Sequence, residues 1–190
     1  MNKKNAFEQL NKPLDITTLT PKQVCVEVAK DVIAFLTIDK ITPDAGSYGF
    51  LTFANPIEVN AACNLREKIA TMVTCNVCAM GSLMVAFVSR FNNFSVRTYD
   101  SGNVTIHSDQ IMKTLSPYFS SEQLGLMEKA FGDFTFSNSL TQEQRDKAHD
   151  FFVKENGGHD GDHDCSYVNS KGRLIAIMQN VVDHNGTFNP

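Results

Sequence analysis

The sequence is short of most things that would announce a function. It has no basic stripe. Its 190 residues carry 17 Lys and Arg against 21 Asp and Glu, a net charge of −4, with a pI near 5.7. A nucleic-acid binder needs clustered cations to displace counterions from phosphate, so no nucleic-acid partner is expected. No secretory signal is legible either: MNKKNAFEQLNKP carries lysines, but no apolar stretch follows. Five cysteines, an odd number, with no signal fit a reduced, cytoplasmic chain better than a disulfide framework. There is no run apolar enough to span a bilayer. Between Lys68 and Arg90 no residue is charged, yet Thr71, Thr74, Asn76, Gly81 and Ser82 interrupt the segment. A spanning helix needs about 20 predominantly apolar residues, so no membrane contact is expected. Strings of the form GxSxG, HExxH, GxxxxGK and GxGxxG are missing, as are internal repeats and low-complexity linkers.

What is present is core material. Hydrophobic residues make up 42% and charged residues 20%, enough for one globular domain and too much for a disordered chain. Residues 1–19 read as an N-terminal arm and 20–190 as a single domain. The expected fold is mainly α, a helical bundle around a hydrophobic central helix, with a small β-hairpin at about 94–107. Thr20-Pro21-Lys22-Gln23 is a helix start with a capping box. Val24, Val28, Val32, Phe35 and Leu36 then recur at helical spacing. The uncharged stretch reads as a central helix, or helix pair, from about Asn64 to Arg90. Cys78, Gly81 and Ser82 give it a small-residue face that another helix could approach. Phe94, Val96 and Thr98 alternate before Asp100-Ser101-Gly102-Asn103 and Val104-Thr105-Ile106, the pattern of a hairpin. Further helix starts follow at Ser108, Ser120 and Thr141, and a last helix covers roughly 173–184, stopped by Asn185-Gly186.

Charge divides unevenly. Residues 1–100 hold 10 basic and 9 acidic side chains; residues 101–190 hold 7 and 12. The acidic half is a candidate contact surface, as is the hairpin tip of Asp100, Ser101, Gly102 and Asn103.

Two strings carry chemistry. Cys75-x-x-Cys78 has the spacing of a metal knuckle or a redox pair, but no second such pair completes a zinc shell. No βαβ pattern surrounds it as a thioredoxin-like site requires. Two buried cysteines packing as small hydrophobes in a helix is the plainer account. A nucleophilic role would need His107 or His149 nearby in space. The second string is His159-Asp160-Gly161-Asp162-His163-Asp164-Cys165. Its aspartates alternate as in a calcium loop, yet the glycine is misplaced and Lys171 stands where that loop closes with glutamate. His159, Asp160, Asp162, His163 and Cys165 are the candidate ligands for a divalent cation such as zinc. A flexible solvated loop is the alternative, and no cofactor is otherwise expected.

Cys75-Asn76-Val77-Cys78-Ala79-Met80-Gly81-Ser82-Leu83, taken with Arg173-Leu174-Ile175-Ala176-Ile177-Met178-Gln179-Asn180 and the ending Asn185-Gly186-Thr187-Phe188, resembles uncharacterised small proteins of bacteria and their tailed phages. The resemblance implies an intracellular accessory protein and supplies no catalytic residues. The expected function is therefore a non-enzymatic interaction protein, a phage or mobile-element accessory factor that binds a host protein or a small molecule. The alternative is a metal- or thiol-dependent enzyme using the 159–165 loop or the Cys75/Cys78 pair. Self-association through an exposed helix face is a third reading.

Overall fold

The computed structural model describes residues 1–46, 48–53, 62–91, 95–97, 104–132, 140–157 and 169–190. Its organising element is helix α2 (Pro21–Thr37). The capping box forms as the sequence implies: Gln23 N–H donates to Thr20 Oγ1 at 3.3 Å, and Thr20 N–H donates to Gln23 Oε1 at 2.8 Å. Both groups would otherwise be unpaired donors at a helix start. Val24, Val28, Val32 and Leu36 are fully buried. Helix α1 (Lys3–Asn11) packs on α2, and a short 3-10 turn (Ile16–Thr18) lies between them.

The uncharged stretch is not one helix. It divides into α3 (Leu65–Thr71), strand β4 (Thr74–Val77) and α4 (Ala79–Phe91). The strands before it are β1 (Ile41–Pro43), β2 (Phe50–Thr52) and β3 (Ala62–Asn64). β4 lies inside a four-stranded sheet, between β1 and β2, parallel to β1 (Ile41 opposite Cys75) and antiparallel to β2 (Leu51 opposite Cys75). A strand paired on both sides and a helix buried all round both read as continuous apolar sequence, so periodicity alone does not separate them. The residues that break the helix, Met72 and Val73, carry no Gly or Pro to announce it.

The hairpin expected at about 94–107 is also corrected. Its two halves are strands, β5 (Ser95–Arg97) and β6 (Val104–Thr105), but each has another partner. β5 pairs with β3 in a separate two-stranded sheet, and β6 pairs with β2, Val104 opposite Leu51. Val104 and Leu51 are both fully buried. Burial against a third strand decides the pairing; an isolated hairpin has little to hold it.

The remaining helices follow the expected starts: α5 (Ser108–Leu115), α6 (Ser121–Gly132), α7 (Gln142–Glu155) and α8 (Ser170–Asp183). A capping box of Thr141 and Gln144 opens α7. The fold is mainly helical, with a small sheet against one side. α4 packs on α2, α3, α5 and α6; α8 packs on α2, α6 and α7. What approaches the small-residue face of α4 is not a helix. It is the backbone of Tyr48: a Cβ on Gly81 would stand 1.4 Å from the Tyr48 carbonyl oxygen, so only glycine fits there.

Candidate functional site

Of the sequence-predicted site residues, the structure locates the cysteine pair. His159, Asp160, Asp162, His163 and Cys165 lie outside the described residues, and so do Asp100, Ser101, Gly102 and Asn103. Among the described residues no group of three or more His, Cys, Asp or Glu side chains is placed to hold a metal ion. No helix among them is long and apolar enough to cross a membrane.

Cys75 and Cys78 do not sit within a helix. Cys75 is in β4, and Cys78 is the single residue between β4 and α4. Both are buried free thiols. Cys78 occupies the N-cap position of α4. Its Sγ accepts the Gly81 N–H at 3.4 Å, and its carbonyl accepts the first helical bond from Ser82 N–H. The Met80 N–H donates to Glu128 Oε1 of α6 at 2.5 Å. A thiol and a carboxyl thus satisfy two unpaired donors of a buried helix start.

Burial raises the Glu128 carboxyl above the usual carboxylate range, against the hydrogen bonds from Cys78 and Met80 that lower it. Burial also pushes the Cys75 thiol up to about 12 and the Cys78 thiol well above its ordinary value, with Glu128 adding to the latter. A thiol so held stays protonated and is a poor nucleophile. This centre binds α4 to α6 through the Met80–Glu128 hydrogen bond. Tyr48 lies at its edge, its phenol raised by burial and by the neighbouring Glu128 and Cys78.

Glu128 is legible in principle. It follows Leu124 by four residues on the inner face of α6, where a carboxylate needs a reason. Arg173 is the second such residue. It is completely buried at the start of α8, donates to the Phe131 carbonyl at 2.5 Å and to Asn156 Oδ1 at 3.0 Å, and lies over the rings of Phe131 and Phe152. Burial lowers it only to about 10, so it remains a cation at neutral pH.

One accessible feature among the described residues is a groove between the segment 12–20 and α2, a cavity of about 540 Å³. Leu14, Leu19 and Val26, all half-buried, supply its apolar surface, and Lys12, Lys22 and Lys30 its charge. Glu27 is the one acidic group among the described lining residues. It accepts from Lys30 at 2.8 Å, Lys12 at 3.2 Å and Gln9 at 3.3 Å. Burial would raise its carboxyl, but those three donors outweigh it and hold it below the usual range. Lys22 is exposed at the helix start and points no ion pair at Glu27 among the described contacts. No family model, curated protein or solved structure matches this chain.

Proposed function

We propose that the chain is a non-enzymatic interaction protein that takes a protein partner along the groove between residues 12–20 and α2. The groove's construction carries this reading. Its volume of about 540 Å³ lies within the range of formed binding sites. Three lysines face one glutamate there, in a chain whose overall charge is −4. Such a local reversal of sign favours an acidic partner and steers its approach. The apolar strip of Leu14, Leu19 and Val26 asks for a partner segment with aliphatic side chains beside its carboxylates. The resemblance to small bacterial and phage proteins supports an accessory role inside a host cell. The sealed Cys75/Cys78 centre favours this over thiol chemistry.

Fluorescence anisotropy with a labelled peptide of alternating Glu and Leu residues tests the reading, a Lys and Leu peptide serving as control. The acidic peptide should bind preferentially. Lys22→Glu should weaken it about 3- to 10-fold without moving the melting temperature, since exchanging one exposed attraction for a repulsion is worth roughly 1 kcal/mol. Equal binding of both peptides, or indifference to Lys22→Glu, would remove the groove as the partner site.

A further inference from the structure

The carboxylate in the groove meets a different lysine on each oxygen. Lys30, on the same helix as Glu27, donates to Oε1 at 2.8 Å. Lys12, from the opposite wall, donates to Oε2 at 3.2 Å. Gln9 of α1 adds a bond to Oε2 at 3.3 Å, and the same amide nitrogen donates to Asp31, one turn further along α2, at 2.8 Å. Glu27 is 7% exposed, whereas the Lys12 and Lys30 side chains are 49% and 35% exposed. The two lysines therefore reach inward from the surface to a carboxylate at the base of the groove. Lys22 is the third cation of the lining. It stands eight residues before Lys30 on α2, about 12 Å along the axis, and makes no ion pair among the described contacts.

This pairing bears on what the groove can accept. Three unpaired lysines within such a span would attract any polyanion, because each phosphate neutralised releases a counterion. Here two of the three already face a carboxylate that three donors hold in place. A phosphate chain drawn to Lys12 or Lys30 is brought against Glu27, and like charges so juxtaposed suppress a wrong partner. A peptide whose carboxylates stand apart among aliphatic residues meets Lys22 at the start of α2 and covers Leu14, Leu19 and Val26. It need not draw either lysine from Glu27.

We infer that Glu27 is the specificity-determining residue of this groove: it ties Lys12 and Lys30 together across the base, so that the site takes carboxylates spaced among aliphatic side chains and excludes polyanions. The inference rests on the groove being the partner site.

The two probes are inorganic tripolyphosphate and the peptide of alternating Glu and Leu residues. Isothermal titration calorimetry follows each into the native chain and into a Glu27→Gln chain, which keeps the shape of the side chain and removes its charge. Glu27→Ala serves if that variant does not fold. Tripolyphosphate should bind the variant at least about tenfold more tightly than the native chain, since the like charge is gone. The peptide should gain less. Adding Lys12→Gln to the Glu27→Gln chain should abolish the tripolyphosphate gain, which a purely structural role for Glu27 would not predict. Variants that bind tripolyphosphate no better than the native chain, an equal gain for both probes, or a native chain that takes tripolyphosphate as tightly as the peptide would each overturn the inference. A tripolyphosphate gain with no peptide binding by any chain would uphold the exclusion by Glu27 and remove the groove as the partner site, so the two failures are distinct.

Discussion

Helix α1 and the C-terminal tail are both short segments laid on the same helical body, and they are fastened by opposite chemistry. α1 is held by charge. Arg90, at the end of α4, donates to both carboxylate oxygens of Asp31 and to the carbonyls of Gln9 and Lys12 at the end of α1. The Gln9 amide adds a bond to Asp31 at 2.8 Å. Burial pushes the Asp31 carboxyl upward, and Arg90 and Gln9 pull against it. The tail is held by neutral amides and one buried ring. A charged clamp is strong only while every member is present, because each partner removed strands a buried charge. A clamp of amides and a ring loses its parts one at a time. The two ends should therefore differ in how they break.

The largest effect is expected from Arg90→Leu. It leaves Asp31, fully buried, without its guanidinium, and stranding a buried charge costs about 3–5 kcal/mol. Thermal unfolding should show a melting temperature lower by about 10 °C, on the usual scaling for a chain of this size. Adding Asp31→Asn to the same chain should recover part of the loss. A single variant that melts like the native chain would mean that the clamp contributes little. Next in size is Phe188→Ala, which empties an apolar pocket at a cost of about 3 kcal/mol. No second substitution that removes a charge should rescue it, and that contrast is the sharper test of the two chemistries.

The arrangement of these clamps marks the limit of what the sequence discloses. Helices with a start signal and one apolar face are legible: the Thr20 and Thr141 capping boxes and the Asn185-Gly186 stop stand where the pattern puts them. Where residues are buried on every side, periodicity vanishes, and β4 reads as helix. Strand partners are misassigned because turn chemistry is local while burial is not. The clamps join residues 59 positions apart, as in Asp31–Arg90, or 65 apart, as in Gln123–Phe188. No spacing rule reaches that far. What a sequence does offer is the anomaly: Asp31 and Glu128 each occupy an inward position of an amphipathic helix. An acidic residue there signals a distant donor without naming it.

Acidity gives a third way to separate regions. Glu27 is held below the usual carboxylate range and Glu128 above it. A lowered carboxyl contributes stability that is present above its unfolded value and lost as pH falls through its folded one. A raised carboxyl contributes stability that is full below its unfolded value and lost as pH rises through its folded one. Acidification below about pH 4.3, the ordinary glutamate value, should therefore loosen the contact of Glu27 with Lys12 and Lys30. The α4–α6 centre should weaken in the other direction, as pH rises from there. Chemical denaturation of Glu27→Gln and Glu128→Gln chains across that range separates the two. The Glu27→Gln chain should have the flatter profile on the acid side, and the Glu128→Gln chain the flatter profile above it. Identical pH profiles for both variants and the native chain would refute both assignments.

The smallest expected effect comes from salt, and it bears most directly on the comparison. The Lys12–Glu27 pair spans 3.2 Å with the lysine half exposed, so it belongs to the class worth at most about 1 kcal/mol and open to screening. Raising ionic strength from about 0.05 to about 0.5 M shortens the screening length below about 10 Å. It should speed amide exchange in α1 by a small factor. The Phe188 and Asn189 amides donate to neutral side-chain oxygens, and no charge is there to be screened. Their exchange should stay constant over the same range. If both ends responded alike, the tail would be fastened by something other than the neutral amides of Gln123 and Asn180.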